Sequence, residues 1–236
     1  MNPAQETAER LGTLFNEYFS TLDELRTHVE QGMAGGLDID GVVLGFVQDL
    51  LMSEDATVVG AGYIGAPGPP PTPGASSAQA MHFAWWLGPL AENPLLGTTT
   101  EVTRLDLGAR EYADYLRDFS SLEWYSVPES TGSRHITGPY VDHLCTCDYM
   151  LTLTTPVGTG GLGIVGLDIL VRRIEPEVLR LLRTIPEPAA LVTSTGRIVV
   201  STADDWDLGA RLKGFSGQSV PGTSFMVTIA ERNHSI

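Results

Sequence analysis

Aromatic and acidic residues are concentrated in one stretch near the middle of the chain. The pair Trp124 and Tyr125 precedes a Gly-Pro bend, which is followed by Tyr140 and Asp142. Asp168 interrupts the apolar run Gly-Ile-Val-Gly-Leu-Asp-Ile, where an ionised side chain must be paired or face a polar cavity. Aromatic rings and carboxylates beside a sheet are typical of small-molecule pockets, because they combine desolvation with a few orienting polar groups. The stretch therefore predicts a binding site.

The order of these motifs resembles that of a Cache domain, the PAS-like sensor module of chemoreceptors and receptor kinases. The motifs are Trp-Tyr, Gly-Pro-Tyr-x-Asp, a polar strand, Thr-Pro and Gly-Ile-Val-Gly-x-Asp-Ile; they lie within residues 57–173, and a weaker similarity continues to about residue 209. The resemblance implies an α/β fold with a PAS-like antiparallel five-stranded sheet flanked by helices. It also implies a non-catalytic domain that binds a small molecule, forms a homodimer and passes a signal to a partner protein.

Cache domains that bind amino acids also suggest a role for each candidate residue. In that family a Trp-Tyr pair helps to hold the ligand carboxylate, which here corresponds to Trp124 and Tyr125. The ammonium group is held by a Tyr and two Asp, which correspond to Tyr140, Asp142 and Asp168. Structural alternatives remain open: the first two could be core aromatics, and Asp142 could merely close an Asx turn.

The chain departs from the family pattern at the carboxylate end. Leu122 replaces the Arg expected two residues before the Trp, and Arg117 occupies the position of an upstream Tyr. Without a guanidinium fork, bidentate recognition of a carboxylate loses its main donor, whereas carboxylates and aromatic faces favour a cation. We therefore expect an amine, an amino-acid derivative or another small metabolite. Arg104 or Arg117 could still supply a cation, and Tyr63 and Trp85 on two predicted strands complete the candidate ligand-binding residues.

Composition and charge narrow the class of protein. The chain has 236 residues, of which 42% are hydrophobic, so it can bury a sizeable core. Its 14 basic and 29 acidic side chains give a formal net charge of -15, which disfavours binding to nucleic acid or anionic lipid. No apolar run of about 18 residues and no secretory leader are visible, and two nearby cysteines make no disulfide scaffold. These features predict a cytoplasmic protein without a cofactor or metal.

Three other interpretations stay open at this point. The run His-Leu-Cys-Thr-Cys-Asp at 143–148 could bind a metal, although structural zinc usually needs four ligands with looser spacing. An enzyme on the same scaffold would use His135, His143 and Asp142 as acid and base groups. A plain dimerisation module would instead fill the pocket with its own side chains.

The N-terminal segment predicts a long helix, because apolar residues recur at steps of three and four over residues 8–29. This stripe could pack on its own domain or also serve as a helical dimer seam, as the resemblance implies. A glycine-rich segment would end the helix. Asp38 or Asp40 would then cap a second helix over residues 41–52.

The remaining segments predict mostly strands. Five strands are expected in the main sheet, at 56–64, 80–88, 98–105, 150–155 and 163–170. A proline-rich loop follows the first strand, and helices are expected at 110–119 and from residue 174. A hairpin at 189–201 and one more strand near the end would form a small second module.

These elements divide the chain into three predicted units. Residues 1–36 would be a helix for packing or dimerisation, 37–184 the Cache-like ligand-binding domain, and 185–236 a rudimentary second PAS-like module. Trp85 and Trp86 are adjacent in a predicted strand, so they point to opposite faces. One of them is expected to line the pocket and the other to pack beneath a helix.

Overall fold

The computed structural model describes residues 2–53, 56–68, 81–90, 98–105, 119–142, 146–159 and 161–230. In this part of the chain two helices precede the first strand, as the apolar periodicity predicts. Helix α1 is Pro3–Ala34 and α2 is Ile39–Met52. Asp38 caps α2, because its carboxylate accepts a hydrogen bond from the Gly41 backbone N–H at 3.2 Å.

The main sheet contains six antiparallel strands in the order β3-β2-β1-β6-β5-β4. They are β1 (Val58–Gly65), β2 (Phe83–Leu87), β3 (Thr103–Arg104), β4 (His135–Val141), β5 (Tyr149–Pro156) and β6 (Gly163–Leu170). All five predicted strands are present, although the third is reduced to two residues. The sixth strand, β4, was missed because its Gly138-Pro139 step suggests a turn. Proline is tolerated there because β4 lies at the edge of the sheet, where a backbone donor is not needed.

Two further helices belong to the main sheet. Helix α3 is Glu123–Thr131 and carries Trp124 and Tyr125, and α4 is Val171–Leu182. The helix predicted at 110–119, the proline-rich loop around 69–80 and candidate Arg117 lie largely or wholly outside the described residues. None of the described helices is long and apolar enough to cross a membrane.

The two faces of the main sheet have different surroundings. The helix-facing side carries Ala61, Tyr63 and Trp86, which join one continuous hydrophobic core with α1 and α2. Trp85 and Asp168 lie on the opposite side. Trp85 pairs with Gly62 of β1 and Asp168 with Gly60. Because these two glycines are two positions apart in the strand, their partners face the same side of the sheet. The structure thus identifies Trp85 as the tryptophan on the open face.

The C-terminal module has one strand more than the predicted hairpin and final strand. It forms a four-stranded sheet in the order β8-β7-β10-β9. Its strands are β7 (Ala189–Thr193), β8 (Ile198–Ser201), β9 (Gly217–Ser219) and β10 (Phe225–Ile229). Strand β9 was not predicted because Gly-Gln-Ser is short and has no apolar alternation.

Helix α1 connects the two sheets, since it packs against β5 and β6 of one and β9 and β10 of the other. The ring centroids of Phe15 and Phe225 are 5.1 Å apart. Leu11, Phe15, Leu22, Leu25 and Val29 are completely buried within the chain, so the apolar stripe packs on its own domain. A homodimer stays a prediction and would need another surface. The domain boundaries at 36 and 184 also stay a prediction.

Candidate functional site

A cavity of about 920 Å³ lies on the open face of the main sheet and is also lined by edge strand β4 and by residues of the C-terminal module. Its walls combine indole and phenol rings with hydroxyl and carboxylate groups. The central lining residues are Trp85, Trp124, Tyr140, Asp142, Thr152 and Asp168. Five of these six were predicted from the sequence, and they come from four different elements and a loop.

A series of hydrogen bonds crosses three strands and ends at Asp168. Thr152 Oγ1 donates to Asp168 Oδ1 at 2.6 Å, and the Tyr140 hydroxyl lies 2.6 Å from the same Thr152 oxygen. Because the single Thr152 hydroxyl proton is used on Asp168, the Tyr140 hydroxyl must donate to Thr152. The two hydroxyls therefore support the carboxylate from one side and orient it beside the cavity.

The environment of Asp168 makes its negative charge costly. Burial raises the pKa of this carboxyl to about 7, and the nearby negative charge of Asp142 acts in the same direction. The hydrogen bond from Thr152 opposes this shift, because it favours the ionised form. A cationic group bound beside Asp168 would supply the missing stabilisation.

Gly60 leaves the space that Asp168 occupies. A Cβ atom at this position would lie 3.1 Å from Asp168 Oδ2 and 3.0 Å from Trp85 Nε1. Both polar atoms therefore approach the same point on the cavity floor. A glycine inside a strand often marks such a close approach, and this signal could have identified Gly60 from the sequence.

The aromatic walls come from two separate elements. Trp85 on β2 and Trp124 on α3 both line the cavity. Tyr125 does not: it is 3% exposed, packs in the same cluster as Trp85, and its hydroxyl donates to the Gly65 carbonyl at 3.5 Å. The Trp124 and Tyr125 rings meet edge to face, with centroids 6.1 Å apart. Tyr125 is thus a core aromatic that supports the wall.

Asp142 both closes a turn and lines the cavity. Its Oδ2 accepts hydrogen bonds from the Thr146 backbone N–H at 2.9 Å and from the Thr146 hydroxyl at 3.2 Å. Its backbone N–H donates to the Asp148 carbonyl at 2.9 Å. Asp142 thus closes the turn through Thr146, four residues on, rather than through an Asx turn, while its role in ligand binding stays a prediction. Its charge acts on Asp168 from this position.

Two other candidates, Tyr63 and Arg104, lie away from the cavity lining. Tyr63 is on the helix-facing side, where its hydroxyl donates to the Leu162 carbonyl at 2.5 Å. Arg104 forms an ion pair with Asp40 at 2.6 Å and lies 6.0 Å from the centroid of the Trp86 ring. Arg117 is outside the described residues. Leu122 lines the cavity, so an apolar group occupies the place where the family pattern has an arginine.

Several cavity residues were not predicted from the sequence. Thr152 could have been found, because threonine alternates with leucine in Leu-Thr-Leu-Thr and so marks one polar face of β5. Thr137 lies directly opposite Thr152 on β4. Arg197 and Arg211 line the cavity from the second sheet, and no local pattern connects them with the first.

The structure also bears on the metal and enzyme alternatives. Among the described residues no group of three or more metal-ligating side chains is present, while His143 and Cys145 lie outside that part of the chain. His135 lines the cavity, and its Nε2 is 2.9 Å from Glu123 Oε1. His135 is thus paired with a residue of α3 that was not part of the predicted acid and base set.

Thr137 provides a test of whether this cavity binds a polar ligand. Thr137 is 8% exposed, and its hydroxyl has no hydrogen-bond partner in the described part of the chain. We expect Thr137→Val to leave the free energy of unfolding unchanged or raise it by up to about 1 kcal/mol, because a buried unpaired hydroxyl is removed. Ligand affinity should fall by about fivefold to tenfold. Thermal unfolding and titration calorimetry would measure the two effects.

Thr155→Val is the matched control for this prediction. Thr155 Oγ1 is also buried and unpaired within the described structure, but its side chain lies on the helix-facing side, outside the cavity lining. It should change stability in the same direction without changing affinity. A loss of stability in Thr137→Val similar to that of a broken hydrogen bond would contradict the interpretation.

Comparison with known proteins supports the fold. No protein-family model and no curated protein matches the sequence, but solved structures do. The ligand-binding domain of the Pseudomonas fluorescens chemoreceptor CtaA with L-valine has a TM-score of 0.60 at 14% identity, covering 99% of this chain and 95% of that one. Two Pseudomonas aeruginosa PAO1 chemoreceptor domains are also similar. The PctC domain with GABA has a TM-score of 0.58 at 15% identity, and the alignment covers 95% of this chain and 94% of that one. The PctB domain with L-Arg has a TM-score of 0.56 at 17% identity, covering 96% of this chain and 91% of that one.

The alignments span nearly the whole length of both chains in each pair. The predicted Cache-like architecture is therefore confirmed, including the long N-terminal helix and the small second module. At these identities the similarity concerns the fold, and the ligand must be inferred from the side chains of the cavity.

Proposed function

We propose that this chain is a non-catalytic sensor domain that binds a small ligand through an ammonium group beside Asp168. The observation that carries the proposal is the hydrogen-bonded series Tyr140, Thr152 and Asp168, which ends in a carboxylate beside a cavity. The same cavity has indole walls from Trp85 and Trp124. A carboxylate with aromatic faces nearby attracts a cation through both charge and ring quadrupoles.

The surrounding charges favour a cation over an anion at this end of the cavity. Asp142 adds a second carboxylate to the lining, and Leu122 contributes an apolar surface. Arg104, which could have offered a positive charge, is instead paired with Asp40 outside the cavity. Within the described part of the chain no guanidinium lines this end of the cavity, so an anionic group near Asp168 would meet uncompensated repulsion.

The ligands of the structural neighbours agree with this assignment. L-valine, L-Arg and GABA, which are bound by CtaA, PctB and PctC respectively, all carry an ammonium group at neutral pH. These ligands belong to other proteins of the same fold. They support an amine or amino-acid derivative as the ligand class here.

A thermal-shift experiment with matched compounds tests the proposal. Each primary amine would be compared with the alcohol of the same chain length, so that the charge is the main difference. We expect amines, but not alcohols, to raise the melting temperature, because a ligand at a hundredfold excess over its Kd adds about 2.7 kcal/mol of stability. If no ammonium compound stabilises the protein, the proposal is wrong. Recovery of the bound compound unchanged after incubation would support a non-catalytic role.

We also propose that ligand binding is transmitted to a partner through α1. Glu129 of α3 accepts hydrogen bonds from the backbone N–H groups of Gly161 and Gly163, at 3.3 and 3.1 Å. Glu30 of α1 accepts from the Gly158 N–H of the same β5–β6 turn at 2.8 Å. A ligand that moves Trp124 on α3 would thus act on a turn that α1 also holds. Light scattering with and without ligand would show whether a homodimer responds, and an unchanged monomer would exclude that mode.

A further inference from the structure

The far end of the cavity contains two arginines from the second module. Arg197 and Arg211 face each other across an isolated antiparallel bridge, and both line the cavity together with Thr193, Ser194 and Thr195. All residues of edge strand β4 also line the cavity. The cavity is therefore acidic where Asp168 lies and basic where it meets the second sheet.

Neither guanidinium has a carboxylate partner within the described structure. Arg197 donates from Nη1 to the Gly209 carbonyl at 3.1 Å, and its other guanidinium N–H groups remain available. Arg211 is exposed and makes no side-chain hydrogen bond or ion pair there. Arg26, Arg104, Arg172 and Arg180 are paired with carboxylates, whereas Arg134 donates to Asn16 Oδ1 and Arg173 to the Ala56 carbonyl. Unlike all of these, Arg197 and Arg211 line the cavity. Two unpaired cations in a chain with a net charge of -15 are suited to holding an anion.

The distance between the two ends can be estimated along β5. Thr152, which holds Asp168, and Tyr149 are three residues apart, or about 10 Å in a strand. Tyr149 reaches the arginine end, because a Cβ added to Gly209 would lie 2.6 Å from the Tyr149 hydroxyl, and the Gly209 carbonyl accepts from Arg197. The ammonium and carboxylate of an α-amino acid are separated by only about 3 Å, which is much less than this backbone separation, so the arrangement suits a longer ligand.

We infer that Arg197 and Arg211 form an anion-binding subsite, and that the ligand is an elongated zwitterion whose carboxylate lies between the two guanidinium groups. This inference rests on the proposed function for the ammonium end. An ω-amino acid and a short peptide share the required chemistry, since each places a carboxylate several bonds from an ammonium group. The ligand then bridges both sheets. Arg197 and Arg211 hold its carboxylate, which Leu122 cannot do because leucine has no hydrogen-bond donor in its side chain.

Matched probes and variants test this subsite by titration calorimetry of the full chain. The probes are 6-aminohexanoate and hexylamine, which differ by the carboxylate, and triglycine and its C-terminal amide. We expect the carboxylate to improve affinity at least tenfold in the wild type for one or both pairs; the pair that responds identifies the ligand type. Arg211→Ala should remove that advantage while leaving hexylamine affinity unchanged. Lys213→Ala removes the same charge two residues away, outside the cavity lining, and should retain the advantage.

The outcomes separate this inference from the proposed function. If hexylamine binds but the carboxylate does not improve affinity in either pair, the inferred arginine subsite is wrong and the proposed ammonium site stands. If Arg211→Ala weakens hexylamine as much as 6-aminohexanoate, the residue acts on the fold and the subsite is again wrong. If no probe binds, both ideas fail. A second variant, Arg197→Gln, should reproduce the selective loss, with only the small drop in melting temperature expected when the hydrogen bond to the Gly209 carbonyl is lost.

Discussion

Replacement of Asp168 by Asn is expected to abolish ammonium binding and at the same time to stabilise the empty protein. The asparagine carbonyl can still accept the hydrogen bond that Thr152 donates to Asp168, but the negative charge is lost. Loss of a charge-assisted contact to the ligand should lower affinity about a hundredfold or more. Stability should increase because burial raises the pKa of Asp168 to about 7, so its ionised form is unfavourable in the fold.

The stabilisation should depend on pH with a definite sign. The pKa of Asp168 is raised from 3.8 to about 7 on folding, so the unfolded chain releases this proton first. The free energy of unfolding of the wild type therefore falls as pH rises from about 4 to 7, and this contribution is constant above that window. The free energy of unfolding of Asp168→Asn does not fall in this way, because asparagine has no carboxyl group to ionise. We expect it to be more stable than the wild type by on the order of 1 kcal/mol at pH 8, with a smaller difference at pH 5.

Denaturant unfolding at both pH values and calorimetry with an amine that binds the wild type would check these effects. Asp49→Asn is a suitable control, because Asp49 is exposed on α2 and lies outside the cavity lining. Asp49→Asn removes the same charge and should change neither the free energy of unfolding nor the affinity for the amine strongly. A variant of Asp168 that is less stable at pH 8, or that binds the amine undiminished, would show that the carboxylate has a structural role.

The affinity for an ammonium ligand is expected to increase with pH and then level off near pH 7. The ligand binds the ionised carboxylate, so below the Asp168 pKa of about 7 a proton must leave when the ligand binds. Affinity should rise by up to about tenfold per pH unit between pH 5 and 7. Aliphatic amines have a pKa near 10 and stay charged throughout this range, so the dependence reports on the protein.

Calorimetry in two buffers with different ionisation enthalpies would count the proton directly. We expect nearly one proton to be released per ligand at pH 5.5 and almost none at pH 8.5. Any residual affinity of Asp168→Asn should be independent of pH. A flat profile in the wild type would mean that Asp168 does not contact the charged group of the ligand.

Local patterns were sufficient to predict most of the secondary structure. The spacing of apolar residues in α1 and a cap at Asp38 or Asp40 were predicted because helix period and capping depend on neighbours within one or two turns. The structure decides for Asp38. The strands β1, β2, β5 and β6 were predicted from their β-branched and apolar composition. Strand β4 was missed because its Gly-Pro step resembles a turn, and its place at the sheet edge is not visible in the sequence.

The conclusion that Asp168 faces a polar cavity also followed from the sequence, since a carboxylate in an apolar strand has few other acceptable environments. Strand pairing alone decided which residues surround it. The register places Thr152 beside Asp168 and Trp85 on the open face, and it sends Tyr63 to the helix side. Arg197 and Arg211 line the same cavity because α1 packs against both sheets and so brings the second module to the first. Such contacts join positions far apart in the chain, where the alternation of side chains carries no information about the partner strand.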